Sequence, residues 1–197
     1  MTFSILYVCT GNICRSPLAE RYTAHRLEQV AADLAPRVHA ASAGVRGLEG
    51  YPMDGRARDQ LERHGGRADG FLARRLTSRD VEQADLVLTM TRTQRGEALE
   101  AAPSALPRIF TLLEGADLAR LAVADDQLVA GPVELVAAMS ARRGQARLAD
   151  DDVTDPIGAS RAVHARVADV ITAAVDQLVE ALVPSLRRPT PSGEPAG

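Results

Sequence analysis

Cys9 and Arg15 bracket five residues in the stretch Val8-Cys9-Thr10-Gly11-Asn12-Ile13-Cys14-Arg15-Ser16-Pro17, directly after a short apolar run. A thiol and a guanidinium at the two ends of so short a loop suit the capture and attack of a tetrahedral oxyanion. Where such a loop joins a strand to a helix, the backbone N–H groups from Thr10 to Arg15 can converge on one point. The helix N-terminus adds partial positive charge there. Arg15 offers a planar fork for two oxygens of the anion, a geometry lysine lacks. Cys9 then lies at the base of the cradle among groups that favour thiolate over thiol, which makes it nucleophilic at neutral pH. Ser16 is placed both to donate to that sulfur and to cap the helix, with Pro17 at the first helical position. Gly11 permits unusual backbone torsions, and Asn12 is among the few other residues tolerated at positive φ.

A leaving group expelled by such a thiolate needs a proton, so an acid must hang over the cradle. Asp155-Pro156 is the best candidate, in a loop just before the final helical stretch, where Pro156 stiffens the chain behind the carboxyl. The alternative for Asp155 is an ordinary turn-initiating residue. The preceding run Asp150 to Asp152 has the look of a solvated acidic corner.

These residues need a scaffold that brings position 9 to position 155. Short apolar runs at Phe3 to Val8, Arg37 to Ser42, Leu86 to Met90 and Arg108 to Leu112 predict four strands, alternating with amphipathic stretches. The pattern is that of an α/β domain in which parallel strands are connected by helices that pack back on the sheet. Helices are expected from Ser16, with Leu27, Val30, Ala31 and Leu34 buried, then at Asp54 to His64 and Thr77 to Ala84. Two more are expected around Ala116 to Val123 and Val133 to Arg142, and a long last helix carries Val163, Val167, Val170, Ile171, Ala174, Val175, Leu178 and Leu182. One domain is expected over 1–183, with an Ala-rich insertion at about 114–150. A flexible Pro-rich tail is expected over 184–197.

Composition narrows the chemistry. The chain of 197 residues is 46% hydrophobic and 25% charged with a net charge of -3, which suits one soluble domain and argues against a broad nucleic-acid footprint. Every basic residue is arginine, so a lysine Schiff base or a Walker-type lysine is excluded. The two cysteines, Cys9 and Cys14, are too few for a disulfide framework and suit free thiols in the cytoplasm. The run from Phe3 to Cys9 lacks the basic start and the length of an export signal, and no stretch is long and apolar enough to insert in a bilayer. Glycines 44, 47 and 50 have the wrong spacing for a dinucleotide fingerprint, and four scattered histidines complete no zinc set.

The stretch from Cys9 to Glu20, Cys-Thr-Gly-Asn-Ile-Cys-Arg-Ser-Pro-Leu-Ala-Glu, closely resembles the signature of the low-molecular-weight protein tyrosine phosphatases. Ser42-Ala43-Gly44, Ala84 to Met90 and Asp155-Pro156 agree with the family pattern in the same order. The resemblance implies an α/β fold with an open, Rossmann-like four-stranded parallel sheet flanked by helices on both faces, and a phosphatase without metal or other cofactor, acting on phosphotyrosine proteins or small aryl phosphates. It makes Cys9 the nucleophile and Asp155 the acid and then the base. Thr10, Gly11, Asn12, Ile13, Cys14 and Arg15 become the phosphate cradle, with Ser16 and Ser42 in its supporting network. It also implies a reversible disulfide between Cys14 and Cys9 as protection against over-oxidation. Two departures stand out: Ile157-Gly158 replaces the aromatic residues that often follow Asp-Pro, and the 114–150 region is longer than in compact members. Leu48 or Tyr51 can supply the wall of the substrate slot instead. The alternatives are an arsenate reductase using a small-molecule thiol, a protein arginine phosphatase and a catalytically silent phosphoanion binder. Ile13 stands where the arginine-directed branch typically has threonine.

Overall fold

The computed structural model describes residues 2–124, 130–146 and 150–188. Strand β1 (Phe3–Cys9) turns Phe3, Ile5, Tyr7 and Cys9 into one apolar core and Leu6 and Val8 into another. A strand buried on both faces must be covered on both, which is the condition of a parallel sheet wrapped by helices. Strands β2 (Val38–Gly44), β3 (Leu86–Thr89) and β4 (Ile109–Thr111) complete it in the order β2-β1-β3-β4, all parallel. All four expected strands are present, with their ends moved by one or two residues.

That order places a topological switch at β1. The chain leaves β1 for β2 on one side and returns to β3 on the other, so a crevice opens beyond the carboxyl end of β1, where Cys9 sits opposite Gly44.

Helices α1 (Arg15–Val30), α2 (Gly55–Arg63), α5 (Leu112–Ala124), α6 (Pro132–Ala141) and α7 (Arg161–Leu186) build the larger core. Helices α3 (Ser78–Gln83) and α4 (Arg92–Ala101) cover the opposite face through Val81 and Ala98. Asp54 caps α2 by accepting from the N–H groups of Arg56 and Ala57, and Thr77 with Asp80 forms a capping box on α3.

Several expectations need correction. Helix α1 starts at Arg15, not Ser16, and Pro17 is its third residue, still within the turn whose N–H groups have no helical partner. Val30 is exposed, and Ala31 and Leu34 are buried beyond the helix end. Helix α4 has no counterpart in the sequence reading because only Gln94 and Ala98 are buried along it, too thin a stripe to register as periodicity. Val170 faces solvent. Pro184 lies inside α7 instead of opening the tail: Ser185 and Leu186 are buried, and the Leu186 carbonyl accepts from Arg37 Nη1, so packing carries the helix past the proline. The remainder of the expected tail, 189–197, lies outside the described residues.

Candidate active site

The loop from Cys9 to Arg15 is held by its carbonyls. Val45, Arg46, Leu48 and Asp54 donate their N–H groups to the carbonyls of Cys9, Thr10, Gly11 and Ile13 at 3.0, 2.9, 3.0 and 2.8 Å. In a trans peptide the C=O and the following N–H point opposite ways. Drawing four carbonyls outward therefore turns the amides of Thr10, Gly11, Asn12 and Cys14 inward, which makes a nest of donors. The Asn12 N–H points to Cys9 Sγ at 3.3 Å.

The segment that holds the loop must come very close to it. A Cβ on Gly44 would stand 2.5 Å from the Thr10 carbonyl oxygen and 2.9 Å from the Asn12 nitrogen, and one on Gly47 would stand 2.2 Å from the Arg74 carbonyl oxygen. Glycine at 44 is thus demanded by the cradle itself. The left-handed conformation falls on Asn12, at φ 57°, and not on Gly11. A Cβ on Gly11 would meet Ile13 and Leu48 only at ordinary contact distances.

Asn12 accepts this conformation because its buried side chain is fully engaged. Its Nδ2 donates to Ser16 Oγ at 2.9 Å and Ser42 Oγ at 2.8 Å, and its Oδ1 accepts from the Arg74 N–H at 2.9 Å. Ser42 in turn donates to Glu20 Oε2 at 2.6 Å. The proton order follows from these bonds. Ser42 gives its hydroxyl proton to Glu20 and accepts from Asn12, and Asn12 spends its second amide proton on Ser16. The Ser16 hydroxyl then has its proton to place, with Cys9 Sγ at 3.0 Å and the more distant Ala43 carbonyl at 3.5 Å as its neighbours. Ser16 therefore serves the sulfur and makes no cap bond, contrary to half of its expected role. Glu20, within the motif but not among the expected site residues, is the anchor of this chain. Burial pushes its carboxyl up from the usual range, against the opposing pull of the Ser42 hydrogen bond.

Arg15 and Asp155 are brought together across 140 residues of chain. Arg15 is buried, its Nη2 donates to Asp155 Oδ2 at 2.5 Å, and its Nη1 donates to the Val153 carbonyl at 2.9 Å. Arg15 Nε is buried with no hydrogen-bond partner. Asp155 is half exposed, and its other oxygen accepts from the Ile157 N–H at 3.2 Å, which fixes the carboxyl within its turn. Thr10, Arg15 and Asp155 line one cleft of about 380 Å³, together with Arg46, Gln94 and Val153. Gln94, on the unforeseen helix α4, donates Nε2 to Thr10 Oγ1 at 3.0 Å.

Cys14 is a buried free thiol beside the cradle. Burial pushes it well above the ordinary thiol range, with the nearby Asp54, Cys9 and Asp155 adding to the shift and Arg15 opposing it. Among the described residues Asp150, Asp151 and Asp152 are grouped closely enough to hold a cation, but Arg92 already bridges all three.

A family model described as low molecular weight phosphotyrosine protein phosphatase matches residues 4–127. The chain belongs to this family. The low molecular weight protein-tyrosine-phosphatase Etp of Escherichia coli (strain K12) is 41% identical over 100 residues, 51% of this chain and 62% of Etp, so the match spans about three fifths of that relative's length. The protein-arginine-phosphatase of Geobacillus stearothermophilus is 28% identical over 92% of this chain and 97% of its own. Among solved structures, the low molecular weight protein tyrosine phosphatase of T. tengcongensis superposes with a TM-score of 0.68 at 27% identity, covering 92% of this chain and 100% of that one. The low molecular weight phosphatase family model ends before Asp155, so the place of that residue in the site rests on its contact with Arg15.

Proposed function

We propose that this chain hydrolyses phosphotyrosine and other aryl phosphate monoesters through a phosphocysteine formed on Cys9, by steps that call on no metal. The observation that carries the reading is a thiol supported by Ser16 and the Asn12 amide at one end of a loop, with a buried arginine at the other end that meets a carboxyl across a cleft both line.

The phosphoryl oxygens take up the inward amides of the Thr10 to Arg15 loop and the fork of Arg15, including the unpartnered Nε. Arg15 must then loosen its hold on Asp155, which frees the carboxyl for the leaving group. The Cys9 thiolate attacks phosphorus, and the bond to the phenolic oxygen breaks as Asp155 gives it a proton. In the second step the Asp155 carboxylate takes a proton from water, the water oxygen attacks phosphorus, and the Cys9 sulfur leaves as thiolate. The Ser16 hydroxyl stabilises the sulfur charge at the start and end of the cycle. Asn12, Ser42 and Glu20 hold that hydroxyl in its orientation.

Exposed Leu48, whose N–H is tied to the Gly11 carbonyl, and exposed Ile157, two residues after Asp155, offer apolar surface to an aryl ring. Ile13 in place of the threonine expected for phosphoarginine supports the tyrosine reading, as do the names of the more similar relatives. No cysteine follows Cys14, so a thiol relay within the chain has no residues to use. Free Cys9 and Cys14 suit a reducing compartment such as the cytoplasm, and among the described residues no helix is long and apolar enough to cross a membrane.

The test compares wild type and Cys9→Ser, with a chelator present, on 4-nitrophenyl phosphate, a phosphotyrosine peptide, a phosphoarginine peptide and arsenate plus a small thiol. The reading expects turnover of the first two, full retention with chelator, and loss of turnover in Cys9→Ser. Turnover by Cys9→Ser would remove Cys9 as the nucleophile.

A further inference from the structure

The strap that carries Asp155 begins with Asp150, Asp151 and Asp152, whose carboxylate oxygens lie within 4.8 Å of one another. Three like charges so close repel; within the described strap, residues 150–155, no cation opposes them, though the Asp152 N–H donates to Asp150 Oδ1 at 3.1 Å and the Thr111 hydroxyl donates to Asp151 Oδ2 at 2.9 Å. The opposing charge comes from α4. Arg92, its first residue, reaches Asp151 from Nε at 3.1 Å, Asp152 from Nε at 3.5 Å and Asp150 from Nη2 at 3.5 Å, and its backbone N–H donates to Asp152 Oδ1 at 2.8 Å. One residue thus grips the strap with a planar fork and with a helix N-terminal amide. Beyond the grip, the Val153 N–H donates to the Met90 carbonyl at 2.7 Å and the Val153 carbonyl accepts from Arg15. Only Thr154 separates that anchor from Asp155.

We propose that Arg92 is a positioning residue for the proton-transfer step: by drawing the three carboxylates onto the start of α4, it holds the strap so that Asp155 hangs over the cradle. The proposal rests on Asp155 being the acid of the reaction proposed above. Arg92 touches neither Cys9 nor Arg15, so its loss reaches the cradle only through the Val153 carbonyl that Arg15 grips, and its selective effect falls on the placement of Asp155. A displacement of about 1 Å in a reacting group is enough to matter.

The experiment measures kcat/KM of the full chain on two esters. 4-Nitrophenolate leaves without a proton near neutral pH, whereas the phenolate of phenyl phosphate needs one, and kcat/KM reports only the steps up to departure. Arg92→Gln is expected to lower kcat/KM for phenyl phosphate about tenfold more than for 4-nitrophenyl phosphate. Adding Asp150→Asn to Arg92→Gln removes one repelling charge and is expected to recover about half of that loss on a logarithmic scale. Arg92→Lys keeps the charge on a narrower head and is expected to show the same selectivity at about threefold, so the proposal stays testable if Arg92→Gln folds poorly. Asp155→Asn is run alongside. If it is selective for phenyl phosphate while neither Arg92 variant is, Arg92 is not a positioning residue and the assignment of Asp155 stands. If Asp155→Asn itself lowers both esters equally, the acid assignment fails and the role of Arg92 fails with it.

Discussion

Arg15 Nη2 and Asp155 Oδ2 lie 2.5 Å apart, so the cation of the cradle and the proposed acid hold each other. An entering oxyanion competes with Asp155 for the same guanidinium edge. Removing the carboxyl should therefore help binding while it harms turnover. Asp155→Ala is expected to bind inorganic phosphate about fivefold tighter in calorimetry, since a half-exposed pair is worth about 1 kcal/mol. Turnover of phenyl phosphate should fall by about 10² to 10⁴. Weaker phosphate binding by Asp155→Ala would show that the carboxyl is not a competitor.

Gly11 within the cradle and Gly44 packed against it should respond differently to a methyl group. Gly44→Ala drives a Cβ onto the Thr10 carbonyl and the Asn12 nitrogen, both backbone atoms that cannot swing aside. It is expected to cost about 1–3 kcal/mol in denaturant unfolding and to reduce kcat/KM by about 10² or more. Gly11→Ala meets only side-chain atoms at 3.7 Å and beyond, at a residue without positive φ, and should change stability by less than about 0.5 kcal/mol. Equal destabilisation by the two would mean that the close approach at Gly44 does not govern the loop.

Glu20 gives a pH signature with a definite sign. Burial raises its carboxyl above the ordinary value, so the folded protein binds this proton more tightly than the unfolded chain does. The resulting stability is fully present below the unfolded value of about 4.3 and is lost as pH rises through the higher folded value. Glu20→Gln keeps an acceptor for Ser42 and carries no charge to desolvate. Its stability relative to wild type should increase between pH 4 and pH 7 in urea titrations. A difference independent of pH would contradict the burial argument.

Cys14 should remain a thiol where Cys9 reacts. Its burial favours the neutral form, so one equivalent of iodoacetamide at pH 7 should label Cys9 and spare Cys14, as peptide mapping would report. If Cys14 is the resolving thiol, hydrogen peroxide is expected to oxidise the Cys9 sulfur to a sulfenic acid with the peroxide reduced to water, and the Cys14 sulfur is expected to displace the sulfenic hydroxyl, which leaves as water, to close a disulfide. Cys14→Ser should keep kcat within about threefold yet lose most of the activity that a thiol reductant restores to wild type after peroxide. Equal recovery in both proteins would exclude that role for Cys14.

The loop to which the proposed function gives anion binding was legible in the linear sequence because its parts are local. Cys9, the amides, Arg15 and Ser16 lie within eight consecutive residues, and a strand followed by a helix leaves such a loop little choice but to curl. The strands were legible for a similar reason, since β1 is buried on both faces and its apolar run is nearly unbroken. Helix α4 was not, because it is held by two buried side chains and a Thr91 cap instead of a stripe.

What only the tertiary structure decided is which distant groups complete the loop. Nothing in local spacing says that the carbonyls of Cys9 to Ile13 are drawn outward by residues 45–54, that Glu20 sets the proton order from Ser42 to Ser16, or that Arg92 grips the acidic strap. Local sequence determined a thiol in a donor-rich turn, because torsional preference and helix polarity act over a few residues. The orientation of its hydroxyl support and the place of its acid depend on contacts between segments 22 to 140 residues apart, which exist only once the sheet has brought their ends together.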